Sequence, residues 1–384
     1  MKKFTHFYSK VITILIAVII ITVGQSCKEK KLEPIKIDPA FAAYVMSFTS
    51  GVVSNSTKVR VRLVQEVADA VPGEELKFNP FSFSPSLKGK VVWLDKQTIE
   101  FTPEKRLPSG EIYTVDFDLY KFIEVPENLK VLTFRFQVMK QAMLYEFNGI
   151  EPYKLMEKKW QKVNGIFKTA DFASPEEIEQ CAEAESDGVE YKISWVHSKD
   201  GKTHNFTIDS VERKSKPVII KLEWNGKKIG ADISKTERIE MPALEDFKVI
   251  YVKTITNPQT SIKVFFSDPL NKGQDISGLF ILDPSANETV LIDGNIAHIF
   301  LGKSVTGDVK LTVLASLKNV FDKILIRDYV TTLKFVSMKP QVELIGEGII
   351  IPNSNGILFP FRAVSLNAVD VTIIKIFENN INLT

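Results

Sequence analysis
One passage of this chain occurs twice. Thr133-Phe134-Arg135-Phe136-Gln137-Val138-Met139-Lys140 returns 199 positions later as Thr332-Leu333-Lys334-Phe335-Val336-Ser337-Met338-Lys339. Upstream, Phe81-Ser82-Phe83-Ser84-Pro85-Ser86 is echoed by Phe280-Ile281-Leu282-Asp283-Pro284-Ser285. Pro85 precedes Thr133 by 48 positions, and Pro284 precedes Thr332 by the same 48. Further up, Lys58-Val59-Arg60-Val61-Arg62-Leu63 matches Ser261-Ile262-Lys263-Val264-Phe265-Phe266. Three matches in one order and at nearly one spacing predict repeated modules of about 100 residues, the usual size of one sandwich domain. Serial modules of this kind serve as surfaces and scaffolds more often than as catalysts.

The local pattern says what each module is made of. Val59, Val61 and Leu63 alternate with Arg60 and Arg62; Val115, Phe117 and Leu119 with Asp116 and Asp118; Phe134, Phe136 and Val138 with Arg135 and Gln137. Period-two alternation is the mark of a strand with one buried and one wet face. Pro72-Gly73, Pro85, Pro108-Ser109-Gly110 and Pro126 punctuate the strands as turns. The predicted fold class is therefore mainly β, with tandem antiparallel β-sandwich, Ig-like domains. The stretch between the copies differs. Ser174-Pro175-Glu176-Glu177 predicts a helix start, with Ser174 as cap, Pro175 in the first turn and Glu177 completing a capping box. A short helix is expected through Ala184, ended by Ser186-Asp187-Gly188, followed by one strand over Tyr191–Trp195. Asp200-Gly201 and Asn225-Gly226 read as two-residue hairpin turns.

The N-terminus reads as an address. Lys2, Lys3 and Lys10 precede an apolar run of 13 residues, Val11–Val23. That is too short for a mature membrane helix, which needs about 20, but suits a secretory signal. The run leads to Cys27 and then to Lys28-Glu29-Lys30-Lys31, which resembles a bacterial lipoprotein signal with Cys27 as the lipidated residue. Gly24 stands where the usual leucine would precede the cysteine, and the competing reading is an ordinary cleaved signal. Once Cys27 is acylated, Cys181 is left without an internal disulfide partner. Folding energy must then come from buried apolar surface, which 44% hydrophobic residues and 26 phenylalanines can supply. A net charge of +2 without a concentrated basic face argues against nucleic-acid binding.

These features divide the chain into a leader, 1–27; a tether, 28–38; a β-sandwich, 39–140; a mostly β module with one short helix, 141–245; a second sandwich repeating the first, 246–339; and the start of a further module, 340–384. In the last, Gly348–Pro352, Gly356–Phe361 and Val369–Phe377 read as strands, and about 45 residues are too few to bury a core alone. The expectation is that more chain follows.

Val264-Phe265-Phe266-Ser267-Asp268-Pro269-Leu270, Lys168-Thr169-Ala170-Asp171, and above all Asn367-Ala368-Val369-Asp370-Val371-Thr372-Ile373-Ile374-Lys375-Ile376-Phe377-Glu378-Asn379-Asn380 carry a family resemblance. With the lipoprotein-type start and serial sandwiches, the chain resembles the N-terminal portion of bacterial alpha-2-macroglobulins. The resemblance implies macroglobulin-type domains at 141–245 and from 340 onward. It also implies a cell-envelope, membrane-anchored scaffold of an endopeptidase inhibitor that traps proteases. Target proteases would be engaged by regions beyond Thr384, and a cell-envelope protein partner is compatible with it. The family's thioester order, Cys-Gly-Glu-Gln, does not occur here. Glu179-Gln180-Cys181 places glutamine before cysteine on a predicted helix, where neighbouring side chains diverge by about 100°. Cys181 reads as a packed residue. The alternative function is an Ig-like adhesive or glycan-binding lipoprotein at the surface or in the periplasm.

The chain is not expected to be an enzyme, and no catalytic residue or cofactor is assigned. His197 and His204 are the weak metal candidates. A hairpin centred on Asp200-Gly201 sets them opposite each other, about 5 Å apart. The competing reading is two polar residues on a wet strand face. Asp116 with Asp118, and Glu176, Glu177 and Glu179, have structural explanations as outward strand residues and as acids at a helix N-terminus. Trp93, Trp160, Trp195 and Trp224 would stack sugars only if exposed together.

Overall fold
The computed structural model describes residues 35–255, 260–303, 305–335, 341–344, 361–364 and 368–371. Cys27 and most of the tail lie outside the described residues, including the predicted strand at 348–352 and most of those at 356–361 and 369–377; the described part of the last, 369–371, is not a strand. The chain is mostly β, built as tandem antiparallel sandwiches of Ig-like character. No described helix is long and apolar enough to cross a membrane.

The first sandwich uses β1 (Val45–Phe48), β2 (Gly51–Val53), β3 (Val59–Leu63), β4 (Phe81–Ser84), β5 (Gly89–Trp93), β6 (Thr98–Pro103), β7 (Ile112–Asp118) and β8 (Val131–Val138). One sheet has the order β1-β3-β6-β5 and the other β2-β8-β7-β4. Alternation predicts the inner faces correctly: Val59, Val61, Leu63, Val115, Phe117, Phe134, Phe136 and Val138 are all fully buried. Aromatic rings fill the space between the sheets. Phe83 stands 4.5 Å from Phe101 and Phe81 4.9 Å from Phe117, centroid to centroid, within the range for attractive ring pairs.

The middle stretch supplies β9 (Met143–Pro152), β10 (Trp160–Thr169), a single-turn helix α1 (Pro175–Ile178), β11 (Ala182–Ser186), β12 (Val189–Tyr191), β13 (Ile193–His197), β14 (Thr203–Glu212), β15 (Val218–Asn225) and β16 (Ser234–Met241). Its sheets have the orders β13-β14-β10-β9 and β12-β11-β15-β16. Three local expectations are corrected here. The helical path ends at Cys181 rather than Ala184, because Ala182–Glu185 pairs with β15 and the strand buries Ala182, Ala184 and Ser186 on one side. Tertiary pairing thus overrides the helix propensity of alanine and glutamate. The strand expected over Tyr191–Trp195 breaks at Lys192, with β12 in one sheet and β13 in the other. Asn225-Gly226 is not a two-residue hairpin. The Asn225 side chain accepts the Lys227 N–H at 2.9 Å and caps a 3-10 turn, Gly226–Ile229.

The second copy contains β17 (Val249–Ile255), β18 (Ser261–Phe266), β19 (Phe280–Asp283), β20 (Thr289–Asp293), β21 (Ile296–Phe300), β22 (Gly307–Val313) and β23 (Tyr329–Phe335). Its sheets are β17-β18-β21-β20 and β19-β22-β23. The repetition reaches the level of register. Val61 sits between Phe48 and Ile99; its counterpart Val264 sits between Val252 and Ala297. Even the irregularity recurs, between Val45 and Ser47 and between Val249 and Tyr251. Both Ser84-Pro85 and Asp283-Pro284 are cis.

Within the described residues the copies differ after β1. In the first copy the chain leaves β1 after Phe48 and crosses to pair in parallel with β8 as β2, entering through Gly51 at φ +75°. At the corresponding place Ile255 is still part of β17 and pairs with Ser261 of β18. Beyond β23, β24 (Gln341–Leu344) pairs with β25 (Phe361–Val364).

By contact density the chain forms two compact units. One runs to Asn148 and adds Asn164–Asp209 and Ile220–Ile239; the other comprises Gly149–Val163, Ser210–Ile219 and the chain from Glu240 onward.

Candidate functional site
The strongest gathering of chemical groups lies around the turn that follows α1, within the first unit. Ser174 starts it with the expected capping box, Pro175 occupies the first turn, and the Ser174 N–H donates to Glu177 Oε2 at 3.4 Å. Arg106 pairs with that same Glu177 and lays its guanidinium 4.6 Å from the centre of the Phe172 ring. Phe172 in turn packs on Gly201 of the β13–β14 hairpin, where a Cβ would stand 2.5 Å from the ring and φ is +62°. Gly201 is therefore required twice, by the turn and by the contact.

That hairpin has the predicted register, with His197 opposite His204. The wet-face reading of the pair is overturned. His204 shares the inward phase of Phe206 and Ile208 and is fully buried, and His197 is half-buried. The two Nδ1 atoms are 2.9 Å apart, and His197 Nε2 lies 3.1 Å from Glu179 Oε1. The bonds are mutually satisfied when His197 donates Nε2–H to Glu179 and accepts at Nδ1 from His204. His204 Nε2 is then a lone pair in apolar surroundings, and it has no hydrogen-bond partner. Burial, and then the neighbouring His197, push the His204 pKa below the ordinary histidine value.

The three side chains form a hydrogen-bonded chain rather than a metal cage. Glu179 and His204 occupy opposite nitrogens of one ring, so the donors diverge instead of converging on a point. Among the described residues no group of three or more His, Cys, Asp or Glu is placed to hold a metal ion.

Cys181 closes the same turn. Its thiol donates to Glu177 O at 3.3 Å, it is 2% exposed, and burial pushes its pKa up. A protonated, enclosed thiol is a packing group and not an activated nucleophile. The exposed Gln180 amide bonds instead to Glu176 O at 2.7 Å, so the adjacent glutamine and cysteine serve separate surroundings. Beside them opens a groove of about 400 Å³, lined by Gln180, Trp224, Lys227, Lys228 and Lys235 among others. Trp224 Nε1 is a buried donor without an acceptor. The tryptophans are not gathered: Trp93 and Trp224 are buried, Trp195 is half-buried, and Trp160 is exposed. Asp116 accepts from Thr133 Oγ1 at 2.6 Å and Asp118 pairs with Lys121, both structural roles.

The sequence did not disclose two buried polar centres. Within the first unit, Asp171 is 1% exposed and accepts from Ser54 Oγ at 2.7 Å, the Asn55 N–H at 2.6 Å and the Phe172 N–H at 2.8 Å. Gln141 bonds the Asp171 backbone in both directions, at 2.9 and 3.0 Å. Within the second unit, Arg213 is buried against Asp268. Asp171 lies in Lys168-Thr169-Ala170-Asp171 and Asp268 in Val264–Leu270, stretches already singled out, but neither pattern names a partner.

No family model matches the chain, and no curated protein matches it. Among solved structures, a marsupial T cell receptor is 12% identical over 75% of this chain and 98% of its own, with a TM-score of 0.18. The surface-layer protein SbsC is 12% identical over 77% of this chain, with a TM-score of 0.15. The chain spans about half of that structure, 55%. Likeness at these scores carries no argument.

Proposed function
We propose that this chain is the anchored front of a bacterial alpha-2-macroglobulin-like protease trap, acting as framework while bait and any thioester lie beyond Thr384. The observation that carries the reading is Asp171. It belongs to the stretch that resembles the family's macroglobulin domains, and its carboxylate holds the Ser54–Asn55 turn of the preceding sandwich. A scaffold of serial sandwiches needs such ties, because interfaces between domains are usually modest and leave the domains free to move unless specific contacts hold them. The Cys27 lipid anchor and the cell-envelope location belong to the same proposal.

The second reading, an adhesive or glycan-binding lipoprotein, draws on the groove beside Trp224, with its lysines and amides. Reading the gene past the codon for Thr384 tests the choice. Further macroglobulin-type repeats and a Cys-x-x-Gln stretch support the trap. An early stop or a lectin-like module contradicts it and supports adhesion.

A further inference from the structure
The connection between β9 and β10 is an ordered loop that presents an apolar tip to solvent. Glu157 N–H closes a turn on Lys154 O at 2.8 Å, and the Glu157 carboxylate accepts the N–H groups of Lys159 and Trp160 at 2.8 and 3.3 Å. Gln161 Nε2 donates to Lys158 O at 3.0 Å, and Tyr153 Oη accepts the Ser210 N–H at 2.8 Å. With its polar groups so occupied, the loop nevertheless leaves Leu155 55%, Met156 64% and Trp160 40% exposed. Three large apolar side chains at one hairpin tip are costly in water and call for a partner surface.

The surroundings specify which. Arg213 N–H bonds Lys159 O at 2.8 Å, which brings the β14–β15 connection alongside. There Lys214 and Lys216 are exposed, as is Lys154 on the loop itself, and among the described residues none of the three has an ion-pair partner. Lys158 and Lys159 are already matched, to Glu245 and Glu212. An apolar apex flanked by tryptophan and rimmed by unmatched lysines suits a bilayer interface. There aliphatic groups enter the acyl boundary, the indole sits at headgroup depth, and ammonium groups meet anionic lipid.

We infer that the 153–160 tip, with the rim of Lys154, Lys214 and Lys216, is a docking surface for an anionic lipid bilayer. The contact is separate from any acylation of Cys27 and holds the second unit against a membrane. It does not depend on the protease-trap reading.

The test is co-sedimentation of the chain from Lys28 onward, which retains every described residue, with vesicles of phosphatidylcholine alone or with 30% phosphatidylglycerol. Binding is expected to the mixed vesicles only and to weaken with salt. Leu155→Asp with Met156→Asp should lower the partition at least tenfold without moving the thermal midpoint, because both side chains are exposed. Each of Lys154, Lys214 and Lys216 changed to serine should lower it about fivefold. Absence of binding to the mixed vesicles overturns the inference, as does equal binding by the double variant. Self-association that the double variant abolishes, without vesicle binding, would assign the tip to a protein contact and overturn it too.

Discussion

Arg213 Nη1 lies 2.7 Å from Asp268 Oδ1, with the side chains 0% and 4% exposed. The other guanidinium protons are also placed: Nε on Pro242 O, Nη1 additionally on Ser267 O, and Nη2 on Ala243 O and Asp246 O. A planar fork with five donors meets four carbonyls and a carboxylate, which lysine cannot reproduce. A buried charge so completely matched organises the ends of three chain segments at once.

Arg213→Ala should therefore destabilise the protein by about 3–5 kcal/mol, and Arg213→Lys by a comparable amount. Pairing Arg213→Met with Asp268→Leu should not rescue it, since the four carbonyls still lose their donors. Urea midpoints with unchanged slopes measure this. A loss of under about 1 kcal/mol in the alanine variant would contradict the account.

Asp171→Ala strands the N–H groups of Asn55 and Phe172 and the Ser54 hydroxyl. At 1–3 kcal/mol for each donor left dry, and with water reaching some of them, the expected loss is about 3 kcal/mol. Asp171→Asn keeps an acceptor and should lose less than half as much. Thermal melts of the two variants side by side give the comparison, and equal losses would show that hydrogen bonding is not what the carboxylate supplies.

The buried His204 makes stability depend on pH. Its folded pKa lies below the ordinary value of 6.5, so the unfolded chain binds a proton that the folded chain refuses. Unfolding then takes up protons, and stability falls as pH drops from about 7 through 6.5 toward the depressed folded value. His298, lowered first by burial and then by Lys263, acts in the same direction. Denaturation between pH 7.5 and 5 should show this loss, and His204→Leu should shrink it. An unchanged pH slope in that variant would mean that His204 titrates normally in the fold.

Much of this architecture can be read in the residues. Period-two alternation assigns the inner faces of β3, β7 and β8, and the Asp200-Gly201 turn fixes His197 against His204. Capping chemistry places the start of α1 at Ser174. What failed depended on the third dimension. Ala182–Ser186 has helical propensity, yet β15 offers a pairing edge that no local rule contains. His204 looks wet until β14 is known to carry Phe206 and Ile208 on its side. Glu179 joins the histidines only because α1 ends where it does, and the carbonyls around Arg213 carry no side-chain signal at all.

The role proposed for this chain is passive framework in a protease trap. It is tested most directly by incubating the complete protein with an endopeptidase and assaying the bound protease on two substrates. Entrapment predicts that cleavage of a large protein substrate is lost while cleavage of a small chromogenic peptide persists. Equal loss of both, or loss of neither, would contradict it.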